Sequence, residues 1–232
     1  MADPWTTRPA LGTARYGHTL TKLSDGKVLA VGGTTNFAPS GAMTSCEIYD
    51  PASPGWTAAG SLTNARTDHA AVLLNTGKVL VVGGSSGASN YMTSCELYDP
   101  VGDSWSAAAA HPNGVSYGFS AFLITTGPNA GNVLVAGGET NTTNSDIYNV
   151  TGDSWGNNAT LTNGMRTHAD VMLSDGKIML IGGRVGTFKK TTIWDPATNT
   201  WSGGADIGIA RADTQAELLP SGDVMIYGGY NG

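Results

Sequence analysis

The most regular feature of the sequence is a short apolar run that follows a tight turn and ends in a glycine pair. In its first copy, the turn Asp25-Gly26 precedes residues 28–31, which are followed by Gly32-Gly33. Asp-Gly between apolar runs favours a β-hairpin, because the two-residue turn needs positive φ. The run does not alternate with polar residues, so we expect this strand to be buried on both faces. The five copies of the run are residues 28–31, 79–82, 133–136, 178–181 and 224–227.

Further strands accompany each copy of this run. An apolar strand precedes the turn, an alternating strand follows the glycine pair, and a fourth strand carries a tryptophan. In the first alternating strand, Cys46 and Ile48 are expected on one side, and Glu47 and Tyr49 on the other. The strands before the turn cover residues 19–23, 70–74, 119–124, 169–173 and 215–219. The tryptophans are Trp5, Trp56, Trp105, Trp155 and Trp201.

The spacing of these features predicts the architecture. The glycine pairs and tryptophans recur every 45 to 54 positions, a period typical of repeat folds. One four-stranded unit cannot bury two sheet faces alone, so the units are expected to stack around an axis. We predict an all-β, five-bladed β-propeller with four-stranded antiparallel blades, as one domain over residues 1–232. The repeats cover residues 11–58, 59–107, 108–157, 158–203 and a partial 204–232, with 1–10 as a closing strand.

The fifth repeat is incomplete, because little sequence follows its glycine pair, Gly228-Gly229. In one interpretation, a monomeric ring closes with a thin fifth blade whose outer strand contains Trp5. In a second, the exposed edge pairs with another chain, giving a strand-exchanged oligomer. In a third, the chain is a piece of a longer propeller.

Composition narrows the classes of partner. The net charge of −6 offers no basic surface to a phosphate backbone, so nucleic acid is not expected to bind. No apolar run is long enough to span a membrane, and the first residues do not have the pattern of a signal peptide. Two cysteines in 232 residues do not form a disulfide scaffold.

Two more motifs give the repeat its character. Arg-x-x-His or a variant precedes the first strand, as in Arg66 and His69, and Tyr-Asp-Pro or a relative ends the alternating strand, as in Tyr98-Asp99-Pro100. With Asp-Gly-Lys-Val-Leu, the glycine pair and the tryptophan, this pattern resembles the kelch repeat over essentially the whole chain. The amino-acid sequence of these motifs is similar to that of bacterial kelch-repeat proteins, many of which are exported. The resemblance implies a propeller located outside the cell or at its surface.

Six residues are candidates for ligand binding. In kelch proteins, arginines ahead of the first strand can line the binding face, which draws attention to Arg15, Arg66 and Arg211. Arginine suits this role because it binds carboxylates in a bidentate way. The alternative is that an arginine repeated in most blades is a packing device that bonds nearby carbonyl groups. The loops after the glycine pairs add Phe37, Tyr91 and Arg184, since variable loops on a rigid scaffold commonly carry binding residues.

Other reactive residues are expected to have structural roles. His18, His69 and His168 share one repeat position, but Phe119 and Thr214 occupy it in other repeats. A packed ring explains this better than a metal site, and the residues of copper radical oxidases, which also use this fold, are not matched. Cys46 and Cys95 are expected to be buried free thiols, because neighbouring sheets stand too far apart for a disulfide. We therefore expect no cofactor, no metal and no catalytic residue.

These observations favour a non-enzymatic binding or structural scaffold. The expected ligand is a protein, an acidic peptide or a carbohydrate, bound at the loops after the glycine pairs. One alternative is an enzyme related to propeller oxidases or sugar epimerases. Another is an excised or engineered propeller without a function of its own.

Overall fold

The computed structural model describes residues 8–36, 39–87, 91–139, 143–157, 159–185 and 189–231. Trp5 and Phe37 lie outside these residues, as does most of the predicted closing strand. Apart from one short 3-10 turn at Pro39–Gly41, the described elements are all β-strands. The chain forms two compact units, Met1–Ala108 and Ala109–Gly232, called here the N-terminal and C-terminal units.

The N-terminal unit contains two four-stranded antiparallel sheets, each ordered as in the chain. Sheet 1 is formed by β1 (Thr19–Lys22), β2 (Val28–Val31), β3 (Cys46–Tyr49) and β4 (Trp56–Ala59). Sheet 2 is formed by β5 (Ala70–Leu73), β6 (Val79–Val82), β7 (Cys95–Asp99) and β8 (Ser104–Ala108).

The C-terminal unit contains two more sheets of this type and a smaller one. Sheet 3 is formed by β9 (Phe119–Leu123), β10 (Val133–Gly137), β11 (Ser145–Asn149) and β12 (Ser154–Asn157). Sheet 4 is formed by β13 (Ala169–Met172), β14 (Ile178–Ile181), β15 (Thr191–Asp195) and β16 (Thr200–Gly203). Sheet 5 consists of β17 (Ala212–Leu218) and β18 (Val224–Tyr230).

These sheets confirm the all-β class and the four-stranded antiparallel repeat. The predicted second strands match β2, β6 and β14 at both ends. Sheet 5 differs, because its strands continue through the glycine pair until Ala212 pairs with Tyr230. Sheets 1 and 2 make the same kind of pairing beyond the glycine pair as isolated bridges, such as Tyr16 with Thr34.

The second strands form the core, as their continuous apolar runs predict. All four residues of β6 are fully buried, and Val79 and Val81 lie in a cluster that also contains Leu29 and Cys46 of sheet 1. Sheet 5 is the exception, because Met225 and Tyr227 on one face of β18 are 43% and 47% exposed. Its other face, with Val224 and Ile226, packs against sheet 4.

The glycine pair connects one sheet to the next. A Cβ on Gly32, whose φ is +54°, would lie only 2.6 Å from the carbonyl oxygen of Arg66. The amide of Gly33 donates to that same oxygen at 2.9 Å. Glycine is therefore required here both for its backbone angle and for the close approach of the neighbouring chain.

Trp105 and Trp155 each pack against a tyrosine of their own sheet and donate to a backbone carbonyl outside that sheet. The Trp105 ring packs 5.1 Å from the Tyr98 ring, and its Nε1 donates to the Gly60 carbonyl at 2.8 Å. Trp155 repeats this arrangement with Tyr148 and Ala109 in the C-terminal unit. The Tyr–Trp part of the repeat is thus a packing device.

Two of the repeated histidines also join neighbouring sheets. His69 Nε2 lies 2.9 Å from Thr19 Oγ1, and His168 Nε2 lies 2.7 Å from Ser120 Oγ. Thr19 is the first residue of β1, and Ser120 is the second residue of β9; both strands are the inner strands of the preceding sheets. These contacts have the structural role expected for the histidines.

The two cysteines lie in the described part of the chain and are buried without a disulfide between them. Cys46 is part of the core shared by sheets 1 and 2. Burial raises the pKa of its thiol to about 11. The prediction of buried thiols is confirmed.

Candidate functional site

The candidate site is a group of exposed and half-buried charged and aromatic side chains in the C-terminal unit, called here the polar cluster. Its members lie beyond the glycine pairs, just ahead of the inner strands or, for Asp213, at the start of β17, so sheets 3, 4 and 5 all contribute. They are Tyr117, Glu139, Arg166, Arg184, Asp213 and Tyr230.

An ion pair and a hydrogen bond form one half of the cluster. Arg166 Nη1 pairs with Glu139 Oε2, and these side chains are 30% and 24% exposed. The Tyr117 phenol donates to the same carboxylate. Burial, followed by this hydrogen bond to Glu139, raises the pKa of Tyr117.

Arg184 organises the other half. Its Nη2 lies 2.6 Å from Asp213 Oδ2, and its guanidinium carbon stands 5.0 Å from the centre of the Tyr230 ring. The hydrogen bond to Asp213 raises the pKa of Arg184. The backbone amide of Arg184 donates to the Arg166 carbonyl at 2.9 Å, which joins the two halves.

The backbone beneath the cluster is held in an uncommon conformation. Thr167 and Asp213 have φ values of 48° and 51°, the left-handed region that side chains seldom adopt. Their amides donate to the carbonyls of Gly118 and Thr167 respectively, both at 2.9 Å. A chain of hydrogen bonds from sheet to sheet therefore fixes the residues that present the cluster.

The chemistry of the cluster is balanced. Two guanidinium groups supply donors, two carboxylates supply acceptors, and two tyrosines supply rings and hydroxyls. The four charges sum to zero, so the cluster is a hydrogen-bonding surface with aromatic walls. About 40% of Tyr117 and 44% of Tyr230 remain exposed for contact.

Two of the predicted binding arginines lie inside the sheets. Arg66 donates to the carbonyls of Gly83 and Ser94 at 2.7 and 2.9 Å and to Glu96 Oε1 at 2.8 Å. Arg15 makes the equivalent bonds, including one of 2.8 Å to Glu47. Neither arginine side chain has any exposed surface, so both have the packing role that the sequence left open.

The other predicted residues fall in different places. Arg184 lies in the polar cluster. Arg211 is partly exposed, and its Nη1 donates to the Gly228 carbonyl at 2.6 Å. Tyr91 belongs to the N-terminal unit and is 46% exposed, while Phe37 lies outside the described residues.

Sequence reasoning did not bring the members of the polar cluster together, although a signal for them exists. The residues directly after the glycine pairs are Thr34, Ser85, Glu139, Arg184 and Tyr230. This position changes from small hydroxyl residues to large charged or aromatic ones between the second and third repeats. Aligning the repeats at this position would have identified half of the cluster.

A second group of polar residues in the C-terminal unit contains the residue types of a catalytic triad, but its contacts are those of a packed interior. Ser120 donates to Asp170 and contacts His168 Nε2, yet Ser120 is only 3% exposed. The carboxylate therefore bonds the serine, whereas in a catalytic triad it would orient the other ring nitrogen of the histidine. Burial lowers the pKa of His168 to about 4. Among the described residues, no group of three His, Cys, Asp or Glu side chains could hold a metal ion.

Comparisons with known proteins agree with this architecture. The family model of the Kelch motif matches residues 65–111, which include Arg66, β5 to β8 and the glycine pair of sheet 2. The structure is similar to the solved structure of YjhT, with a TM-score of 0.73 and 16% sequence identity. The likeness covers 95% of this chain and 78% of that chain.

The chain has a kelch-repeat β-propeller fold. The same comparison matches 279 solved chains, so the likeness identifies a widely used architecture and no particular activity. No curated protein sequence matches the chain. Within its described residues, no helix has the length and apolar character needed to cross a membrane.

Proposed function

We propose that this kelch propeller has five blades, with sheet 5 as the incomplete one, and is a non-enzymatic binding scaffold. Its ligand is a carbohydrate that binds at the polar cluster. The observation that carries this proposal is the joining of two charged pairs and two exposed tyrosines on sheets 3, 4 and 5.

The balance of charge favours a sugar over an acidic peptide. An acidic peptide would have to compete with Glu139 and Asp213 for the guanidinium groups of Arg166 and Arg184. Sugar hydroxyls, in contrast, donate to carboxylates and accept from guanidinium groups, so they can add to the existing network. The exposed tyrosine rings supply apolar faces against which a sugar ring can pack.

The electrostatics of Tyr117 support binding over catalysis. A tyrosine that acts as a base at neutral pH needs a lowered pKa. Burial and the Glu139 carboxylate raise the pKa of Tyr117, which keeps its hydroxyl protonated as a hydrogen-bond donor.

The test compares variants of the full chain on a panel of immobilised neutral oligosaccharides, acidic oligosaccharides and a poly-glutamate peptide. We expect binding to a sugar, weakened about tenfold or more by Arg184→Ala, since the lost contacts are charge-assisted hydrogen bonds. Lys78→Ala is the matched control, because Lys78 is also an exposed cation paired with a carboxylate, Asp99. Binding to poly-glutamate alone, or equal losses in both variants, would contradict the proposal.

The second candidate is an enzyme related to sugar epimerases. The observation in its favour is that the polar cluster departs from the repeat, as a site of unlike catalytic residues would. Incubating the sugar identified above with the protein and recording NMR spectra tests this candidate. A new product that Tyr117→Phe abolishes would favour catalysis over simple binding.

We also propose that the protein acts outside the cell or at its surface, as the similarity to exported bacterial kelch-repeat proteins suggests. Fractionating cells that express the natural gene, followed by immunodetection, tests this location. Recovery only with cytoplasmic markers would contradict it.

A further inference from the structure

The N-terminal unit contains a half-buried carboxylate, Asp68, on a backbone of uncommon conformation. Its φ is 55°, in the left-handed region that favours glycine. Sheets 1 and 3 have glycine at the same repeat position, Gly17 and Gly118, with φ values of 62° and 73°. Asp68 therefore carries a conformational cost that glycine would avoid, and residues in this conformation cluster at ligand-binding sites.

Asp213 holds the equivalent position in sheet 5 and shows what the side chain can do there. The amide of Asp68 donates to the Gly17 carbonyl at 2.8 Å. The amide of Asp213 donates in the same way to the Thr167 carbonyl at 2.9 Å. The carboxylate of Asp213 then pairs with the Arg184 guanidinium at 2.6 Å. An aspartate on this backbone is thus placed to bind a guanidinium group.

The repeat position that provides Arg184 is occupied by Thr34 in sheet 1. Arg184 belongs to the repeat before Asp213, and Thr34 belongs to the repeat before Asp68; each directly follows a glycine pair. The amide of Thr34 donates to the Tyr16 carbonyl at 2.8 Å, and that of Arg184 donates to the equivalent carbonyl of Arg166 at 2.9 Å. Threonine carries no charge, so sheet 1 gives Asp68 no counter-ion at this position.

The carboxylate of Asp68 also receives no counter-ion from the other lysines and arginines of the chain. All 12 of these residues lie within the described part of the chain, and none of them forms an ion pair with Asp68. The side chain of Asp68 accepts a hydrogen bond from Thr67 Oγ1 at 3.3 Å. Burial raises the pKa of Asp68, and this hydrogen bond acts in the opposite direction.

Tyr16 supplies an aromatic side chain beside this carboxylate. It stands opposite Thr34 in an antiparallel bridge and is 55% exposed. Thr67 Oγ1, which bonds Asp68, also lies 3.5 Å from the Tyr16 carbonyl oxygen. The backbone of Tyr16 and the carboxylate of Asp68 thus meet at one hydroxyl group, which places an exposed aromatic ring within reach of a cation bound to Asp68.

We propose that Asp68 and Tyr16 form a binding site for a guanidinium group carried by a ligand, separate from the polar cluster. The bound group takes the place beside Asp68 that the Arg184 side chain has beside Asp213. A guanidinium suits the site better than an ammonium, because it is planar, weakly hydrated and able to bond a carboxylate with two N–H groups while it stacks on a ring. Its source is a free guanidine compound or an arginine side chain of a polypeptide, which share this chemistry.

An NMR titration of the full chain with N-acetyl-arginine amide tests the site. We expect saturable shifts of the amide signals of Tyr16, Gly17 and Asp68, with a Kd of about 1 mM or tighter. N-acetyl-citrulline amide has nearly the same shape without the charge, so it should bind about tenfold more weakly. Equal affinity for the two compounds, or shifts confined to other residues, would overturn the proposal.

Asp68→Asn is the decisive variant, because asparagine accepts the left-handed conformation and removes only the charge. It should abolish the preference for arginine over citrulline. Asp25→Asn is the matched control, since Asp25 is an exposed carboxylate of the same unit and pairs with Lys27; it should leave the preference unchanged. A preference that survives Asp68→Asn, or that Asp25→Asn removes equally, would contradict the assignment of the site.

A converse variant supplies the guanidinium from within the chain. Thr34→Arg copies the residue that sheet 4 has at this position, and it should weaken binding of N-acetyl-arginine amide about tenfold or more, because the new side chain competes for Asp68. Unchanged affinity in a variant whose NMR spectrum remains that of the folded chain would count against the proposal. A Thr34→Arg variant that does not fold leaves the decision to Asp68→Asn.

The two sources of the guanidinium are distinguished by titrating agmatine and the peptide Gly-Arg-Gly in parallel. Tighter binding of agmatine supports a free guanidine compound, and tighter binding of the peptide supports an arginine side chain of a polypeptide. Binding of neither would overturn the proposal. None of these measurements uses a sugar or a residue of the polar cluster, so this proposal and the proposed function fail separately.

Discussion

The N-terminal and C-terminal units place their charges in opposite ways at equivalent ends of their sheets. In the N-terminal unit, Arg15 with Glu47 and Arg66 with Glu96 form ion pairs whose side chains are at most 8% exposed. In the C-terminal unit, the pairs of Arg166 with Glu139 and Arg184 with Asp213 are 24% to 42% exposed. These arginines are thus packing residues in one unit and surface residues in the other. Arg166 is shifted by one repeat position relative to Arg66, and Arg184 follows the glycine pair Gly182-Gly183.

The backbone explains how so small a shift has this effect. Arg66 lies three residues before its histidine and points between strands, whereas Arg166 lies two residues before His168 and points outward. Met165 takes the interior position in that repeat and is 1% exposed. Buried charges must be fully paired, while exposed charges stay available to a ligand.

The largest expected effect comes from breaking an interior pair. Glu96→Ala should lower the free energy of unfolding of the N-terminal unit by about 3–5 kcal/mol, because Arg66 is left buried without its counter-ion. Urea denaturation followed by tryptophan fluorescence measures this loss. The control is Glu139→Ala, which removes the exposed partner of Arg166 and should cost less than about 1 kcal/mol. Equal losses in the two variants would show that the buried and the exposed ion pairs contribute equally to the free energy of unfolding.

Acidification tests another interior group. Burial lowers the pKa of His69 to about 3, so the folded state binds a proton less readily than the unfolded state. The stability contributed by neutral His69 is therefore fully present above about pH 6.5, and it declines by up to about 1.4 kcal/mol per pH unit as the pH falls below that value.

We expect His69→Gln, which can still bond Thr19, to flatten this decline between about pH 6.5 and 4.5. Chemical denaturation of both proteins at several pH values gives the two slopes. Parallel slopes would mean that His69 does not carry the proton linkage.

Replacing both members of the interior ion pair should restore most of the stability that Glu96→Ala loses. Arg66→Met together with Glu96→Thr copies the residues that sheet 4 has at these positions, Met165 and Thr192. We expect the double variant to recover most of the loss of Glu96→Ala and to remain within about 2 kcal/mol of the natural chain, since uncharged pairs avoid the desolvation of an ion. A double variant as unstable as Glu96→Ala would show that the Met–Thr pair depends on other features of sheet 4.

The smallest expected effect lies at the surface. Tyr230→Ala should lower stability by no more than about 1 kcal/mol, because the contact of its ring with Arg184 is partly exposed. Thermal unfolding with and without the sugar ligand separates this small loss from a larger loss of ligand stabilisation. A stability loss comparable to that of Glu96→Ala would place Tyr230 in the core of the fold.

The fold could be predicted from sequence because its signals are local and repeated. Three features recur at a nearly fixed spacing: the continuous apolar runs, the glycine pairs such as Gly32-Gly33, and the tryptophans. An error in assigning one copy is therefore corrected by the other copies. The confirmed strands β2, β6 and β14 lie where those runs are. The number of blades is less accessible, because the fifth repeat shows only two strands among the described residues.

The candidate site could be predicted only in part, because its residues depart from the repeat that identifies everything else. The sequence places Arg184 in a loop, but its contact with Asp213 depends on the left-handed backbone that presents the aspartate. The guanidinium groups of Arg15 and Arg66 could bind a ligand, but each is already paired with a glutamate of the third strand. Whether an arginine is free for binding depends on a residue about 30 positions later, which periodicity does not report.

The bonds of His69 to Thr19 and of His168 to Ser120 also make the order of the repeats matter. His69 and His168 each follow a repeat whose inner strand offers a hydroxyl, whereas Thr214 follows a repeat in which Ala169 is buried at the start of that strand. The residue at the start of the inner strand in one repeat must therefore be compatible with the residue at the histidine position of the next repeat. Recombination that exchanged repeats freely would bury an imidazole without its partner, so lengthening or reshuffling this chain requires changes in neighbouring repeats at the same time.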